Sequence, residues 1–186
     1  MKFYKVGNEG VNLLSDGGFE NTTVRAAENE YIGSRKITSN TRNNPTTNIG
    51  GEMLIEPSDN YSINGKNVRL AYNMNTKAHS WICLKTPVSL TSGNTYTISL
   101  KMKKIINSTV IMIATNWSSS NYQINEAIGA SGWTTNDIDN GWIEYTKDFT
   151  LSADKHTVNS LDLYISQTGE AYIDDISVTL KDGDGT

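Results

Sequence analysis

Two kinds of side chain in this sequence can do chemistry: acids on an alternating strand, and rings in polar surroundings. Residues 171–180 read AYIDDISVTL. Period-two alternation predicts Asp174 on the side of Tyr172, Ile176 and Val178, facing an apolar layer, with Asp175 facing outward. A lone carboxylate taken out of water is costly unless a cation or hydrogen bonds compensate it. Trp117 in NWSSSNYQ, Tyr122 close behind it, and Trp133 in SGWTTND sit among Ser, Asn, Thr and Gly, in stretches that read as loops. Rings there either meet a ligand, cover a sheet face or pack on a neighbouring subunit. Trp81 is placed with His79, Cys83 and Lys85 on one face of a strand, against Ile82 and Leu84 on the other.

Catalytic sets are missing. The sequence has no G-x-S-x-G elbow, no H-E-x-x-H and no phosphate-cradling glycine loop. The adjacent pair Asp174 and Asp175 points to opposite faces of one strand, so it cannot flank a glycosidic bond. Neither His79 nor His156 has a suggestive neighbourhood, and Cys83 reads as a small buried side chain. The stretch Asp137-Ile138-Asp139-Asn140-Gly141 resembles the start of a calcium loop but lacks its distal Glu, so it reads as a polar turn. The expectation is a protein that is not an enzyme.

The elements that position these residues are strands. Asn, Ser and Thr make up roughly a third of the 186 residues, while charged residues are only 19%. That composition favours strands and turns over helices. Asn94 to Lys104 alternates cleanly, with Tyr96, Ile98, Leu100 and Met102 on one face. Trp142 to Leu151 sets Ile143, Tyr145, Lys147 and Phe149 against Trp142, Glu144, Thr146 and Asp148. Ser160 to Ser166 turns Leu161, Leu163 and Ile165 inward, and Thr109 to Thr115 is apolar on both faces, which predicts a central strand. Counting Val11 to Phe19 as the first strand, about eight strands follow at spacings of roughly 8–15 residues. This spacing predicts an all-β fold, a two-sheet antiparallel sandwich. Asn21 to Gly51 and Asn116 to Gly141 read as long loops. Residues 1–10 and 182–186 read as an arm and a tail flanking one domain over 11–181.

Charge and apolar patterning set limits on partners. A net charge of −4 argues against nucleic acid, and no apolar run approaches the ~18 residues of a membrane span. Lys5 and Glu9 stand where a signal peptide would carry its apolar stretch, so no export signal is expected in this chain.

Three stretches in order, NLLSDGGFE at 12–20, PVSLTSGNTYTISLKMK at 87–103, and GWIEYTKDFTLSAD with AYIDDISVTL between 141 and 180, resemble the jelly-roll carbohydrate-binding modules of families four, nine and twenty-two. The resemblance implies a structural calcium ion tying the first strand to the last, with Glu20 as the partner of Asp174. Carboxylates and backbone carbonyls are the hard oxygen donors calcium takes. It also implies a polysaccharide or cell-surface glycan as partner, held by stacking on Trp81, Trp117, Tyr122 and Trp133. Arg69 and Gln123 are possible hydrogen-bond donors that nothing singles out. A lone module with docking arms and no export signal fits display on a phage virion, through contacts with other virion proteins. The alternatives are a purely structural virion protein without sugar binding and a module of a bacterial polysaccharide-degrading system. The implied location is a virion or the extracellular space.

Overall fold

The structure is a computed structural model and describes residues 11–14, 16–20, 31–32, 35–41, 53–58, 60–62, 65–72, 80–106, 109–116, 122–165 and 169–182. Twelve strands lie among them: β1 (Tyr31–Ile32), β2 (Arg35–Thr41), β3 (Met53–Ser58), β4 (Asn67–Tyr72), β5 (Ser80–Leu90), β6 (Thr95–Ile106), β7 (Val110–Thr115), β8 (Tyr122–Ala127), β9 (Thr134–Asp137), β10 (Ile143–Thr150), β11 (Val158–Ile165) and β12 (Gly169–Asp182). They form two antiparallel sheets, ordered β3-β4-β12-β6-β10-β9 (sheet A) and β1-β2-β5-β11-β7-β8 (sheet B). The fold is all-β, as the alternation predicts. No helix among the described residues is long and apolar enough to cross a membrane.

The alternating strands form the core. On β6, Tyr96, Ile98, Leu100 and Met102 are buried while their neighbours are partly exposed. Their cross-strand partners on β10 are Phe149, Lys147, Tyr145 and Ile143, the face read from the sequence. Sheet B answers with Leu84, Leu90, Met112, Leu161 and Leu163. At about 25 cal/mol per Å² of apolar surface, burial of this interlayer supplies most of the favourable free energy of folding.

Several sequence expectations need correction. Residues 11–20 are not a strand. Asp16 and Phe19 take φ of 56° and 60°, and Gly17 and Gly18 stand between them, so no ladder continues there. The segment instead lies along β12 through isolated bonds, Leu13 N–H to Val178 O at 2.8 Å and Ile176 N–H to Gly17 O at 3.0 Å. The stretches read as loops contain β1, β2, β8 and β9. The strand β7 is internal rather than central, with β8 as the edge beside it. The polar turn at 137–141 is as expected: a 3-10 turn over Asp139–Gly141, with Asn140 in left-handed backbone.

The alternation on β12 also breaks. Between Asp174 and Ser177 the strand carries one residue more than its partner stretch Lys101–Ser99, a β-bulge. Before it, Ala171 and Ile173 enter the core; after it, Ile176 and Val178 do. Tyr172 and Asp174 therefore share the outer face, opposite Lys103 and Lys101, and do not share a side with Ile176 and Val178.

Candidate functional site

Asp174 is buried, 1% exposed, but on the outer face of sheet A, where the turn at 16–20 folds over it. Gly17 and Gly18 permit that approach. A methyl group on Gly17 would collide with the carbonyl of Ile176. One on Gly18 would occupy a small cradle, 3.1 Å from Asp175 Oδ1, 3.7 Å from Glu20 Oε1 and 3.8 Å from Asp174 Oδ1. Glu20 and Asp174, paired by the resemblance, thus both lie within 4 Å of this position. Asp175, expected to face outward, lies on this same outer face beside them, at the bulge, with a φ of 46°.

The electrostatics of the cradle are strained. Asp174 Oδ1 accepts the Asp175 N–H at 2.8 Å, while its buried Oδ2 has no hydrogen-bond partner. Burial pushes the Asp174 carboxyl up to about 7, and the carboxylates of Asp175 and Glu20 add to the rise; the Asp175 N–H and Lys101 act against it. Lys101 donates to Asp175 Oδ2 at 2.6 Å, and that bond holds its ammonium above the usual lysine range. An orphaned buried carboxylate oxygen and a cradle of hard oxygen donors fit a divalent cation. Among the described residues no three acids, His or Cys already stand at coordination spacing, so the carboxylates would close inward on an ion.

A second segment packs on this face beside the cradle. The Trp142 indole, fully buried, donates to Tyr61 O at 2.8 Å. The Tyr61 ring packs edge-on against Tyr172, with Lys103 Nζ 4.7 Å from its centroid. Arg69 is held by Glu170 at 2.6 Å, which keeps the Glu170 carboxyl below the usual range, and Tyr172 Oη donates to the same oxygen. Lys66 N–H donates to Glu20 Oε1 at 3.0 Å, so this segment and the cradle share Glu20. Trp142 is scaffold.

The outer rows of sheet B carry different chemistry. Asp162, on β11, has Lys85 and Ile113 as its Cα partners on either side, and is recessed with Ser160 and Thr115 beside exposed Asn125 and Tyr122. Ser160 Oγ donates to Asp162 Oδ1. The sequence reading missed Asp162. Its signal was an acid between Leu161 and Leu163, at the outward position of an inner strand.

The four rings are scattered. Tyr122 stands on β8 rather than in a loop and is 42% exposed. Trp81 lies on β5 with Asn40 of β2 as its Cα partner, and its side chain is outside the described residues. Trp117 is also outside the described residues. Trp133 does serve packing: it meets Phe149 and Tyr145 edge-to-face, at 5.7 and 6.4 Å, and its indole donates to Glu126 Oε1 at 2.9 Å. Lys147, inward-facing at the sheet margin, pairs with the same oxygen. Gln123 is spent on structure: Oε1 accepts Ser152 N–H at 3.0 Å, and Nε2 donates to Ser152 O and His156 O.

No family model matches this sequence, and none of the curated proteins does. Solved structures match at the level of fold. The enzymatically active domain of bacteriophage CBA120 tailspike protein 4 matches with a TM-score of 0.57 at 10% identity, over 92% of this chain and 22% of that one. A family 4 carbohydrate-binding module matches with a TM-score of 0.55 at 17% identity, over 90% of this chain and 99% of that one. The CBM22-1–GH10 modules of Clostridium thermocellum xylanase 10B, complexed with xylohexaose, match with a TM-score of 0.51 at 15% identity, over 97% of this chain and 30% of that one. The architecture is the jelly-roll β-sandwich of carbohydrate-binding modules. The chain spans about a fifth of the tailspike it matches.

Proposed function

We propose that this chain is a non-catalytic glycan-binding module whose ligand, a polysaccharide or cell-surface glycan, lies on the outer side of sheet B. The observation that carries the reading is the asymmetry of the two outer faces. On sheet A, residues 16–20, 60–62 and 65–66 lie over part of the outer face at β12, tied there by Glu20, Trp142 and Tyr172. Sheet B carries Asp162, Ser160 and Thr115 at outward positions where they are buried, with Asn125 and the Tyr122 ring exposed on the neighbouring β8. Such groups suit sugar hydroxyls, and a ring suits the C–H face of a pyranose. One similar fold is a family 4 carbohydrate-binding module, and another structure holds CBM22-1 and GH10 modules complexed with xylohexaose. Trp81, Trp117 and Trp133 are the further ring candidates. A glycan array followed by isothermal titration tests the reading, with Trp81→Ala, Trp117→Ala, Tyr122→Ala and Trp133→Ala. Micromolar to millimolar binding, weakened by at least one substitution, is expected; binding to no glycan by the wild type overturns it.

In the same reading, Glu20 and Asp174 hold a structural calcium ion. The ion would neutralise the buried Asp174 and fasten residues 16–20 to β12. Chelation is expected to lower the thermal midpoint and added calcium to restore it; an identical midpoint in both conditions removes the ion from the account.

A phage virion is the setting we favour, since one similar fold belongs to a tailspike. Of the terminal arms proposed to dock on virion proteins, 1–10 and 182–186, all but Asp182, the last residue of β12, lie outside the described residues. Light scattering tests the setting: a multimer is expected, and a strict monomer that binds sugar favours a module of a polysaccharide-degrading system instead. A multimer that binds no glycan supports the purely structural virion protein.

A further inference from the structure

Asp175 has its two carboxylate oxygens in two places. Oδ1 is the acid oxygen nearest the Gly18 cradle, at 3.1 Å, closer than those of Glu20 and Asp174. Oδ2 receives the Lys101 ammonium at 2.6 Å. The bulge makes this possible: its extra residue and the φ of 46° at Asp175 bring the side chain back to the face where Lys101 stands opposite Asp174. Glu144 flanks Lys101 from β10 as its cross-strand partner. Lys101 therefore sits among Asp174, Asp175 and Glu144 on β6, which pairs with both the bulge of β12 and β10.

We propose that Lys101 is the chain's own counter-cation for this cradle, and that Asp175 is its third acid, so that the Lys101–Asp175 pair sets how tightly a divalent ion is held. The proposal rests on the calcium reading above. With no ion present, the carboxylates of Asp175 and Glu20 repel that of Asp174 around Gly18, and Lys101 relieves the repulsion by engaging Asp175. When a dication enters, the lysine charge opposes it and competes for Asp175. Removing that charge favours the ion; removing the Asp175 charge disfavours it. For charges several Å apart in a partly wet site, each effect is expected to be about tenfold in affinity.

The test uses the full chain, stripped by chelator and titrated with calcium chloride, read by isothermal titration and by the calcium-dependent rise in thermal midpoint. Lys101→Met is expected to bind calcium about tenfold more tightly than wild type, and Asp175→Asn about tenfold more weakly. Lys101→Arg keeps the charge and is expected to match wild type. Asn tolerates left-handed backbone, so Asp175→Asn removes charge without unseating the bulge. Calcium binding by wild type with Lys101→Met unchanged or weaker, or with Asp175→Asn unchanged, overturns this inference and leaves the calcium reading standing. Failure of both wild type and Lys101→Met to bind calcium at millimolar concentration overturns the two together.

Discussion

Asn12 and Val178, 166 positions apart, are joined as though by a strand ladder: Asn12 Oδ1 accepts the Val178 N–H at 3.0 Å while its Nδ2 donates to Ile176 O at 3.2 Å. The side-chain amide stands in for a backbone peptide on the edge of β12 that β4 no longer reaches. Beyond the bulge, this amide and the Leu13 N–H satisfy backbone groups that would otherwise be orphaned. Asn12→Asp keeps the acceptor and loses the donor, and Asn12→Ala loses both. The expected order of stability in urea is wild type, then Asp, then Ala, with the last costing about 2 kcal/mol.

The buried acid gives the metal-free protein a distinctive pH dependence. The folded pKa of Asp174 lies at about 7, above its unfolded value of 3.8. The folded state therefore holds a proton that the unfolded state has released. Stability contributed by that proton is fully present below pH 4 and is lost as pH rises toward and through 7. In chelator, the thermal midpoint is expected to fall between pH 5 and pH 8, and Asp174→Asn is expected to flatten that fall.

Gly65 and Gly93 separate strain from collision. Both hold positive φ, +98° and +87°, which any side chain resists. A methyl on Gly93 meets nothing closer than Ala153 Cβ at 3.8 Å, whereas on Gly65 it strikes the Glu20 carboxylate. Gly93→Ala is expected to cost about 1 kcal/mol. Gly65→Ala is expected to cost on the order of 3 kcal/mol. It should also weaken calcium binding, because Glu20 has to move. Urea denaturation with and without calcium checks both.

Gln123 has the residue type of a sugar ligand but the contacts of a staple. Gln123→Ala frees the 152–156 turn and is expected to cost about 2 kcal/mol of stability. Glycan affinity per folded molecule should not change. An unaltered melting curve with lost binding would reverse that assignment.

How far the sequence could be read depended on how far alternation extends. Tyr96 to Met102 and Ile143 to Phe149 face as their pattern says, because each is a paired strand with one dry side. The four residues of β9 are all exposed, so an edge strand of this kind leaves no period to detect. The pairing of Glu20 with Asp174 was visible through the resemblance. Asp174 was placed on the side of Ile176 and Val178 because a bulge shifts the face of a strand by one residue and leaves no mark in the residue types. Trp133 stands in a loop, as read, but its packing on Tyr145 and Phe149 was not legible because those partners lie on β10, which no local pattern ties to the 128–133 turn.

The position of β12 in sheet A sets an order of events. It lies between β4 and β6 and also carries the bonds from residues 12–17. β4 has β3 and β6 has β10 beforehand, but each lacks its second neighbour, and residues 12–17 their partner, until residues 169–182 have been synthesised. Nascent chains released short of that point would present two bare strand edges, and assembly must wait for completion of translation through Asp182. Contacts so distant in sequence also predict slow folding, in the millisecond-to-second range typical of β-sandwiches.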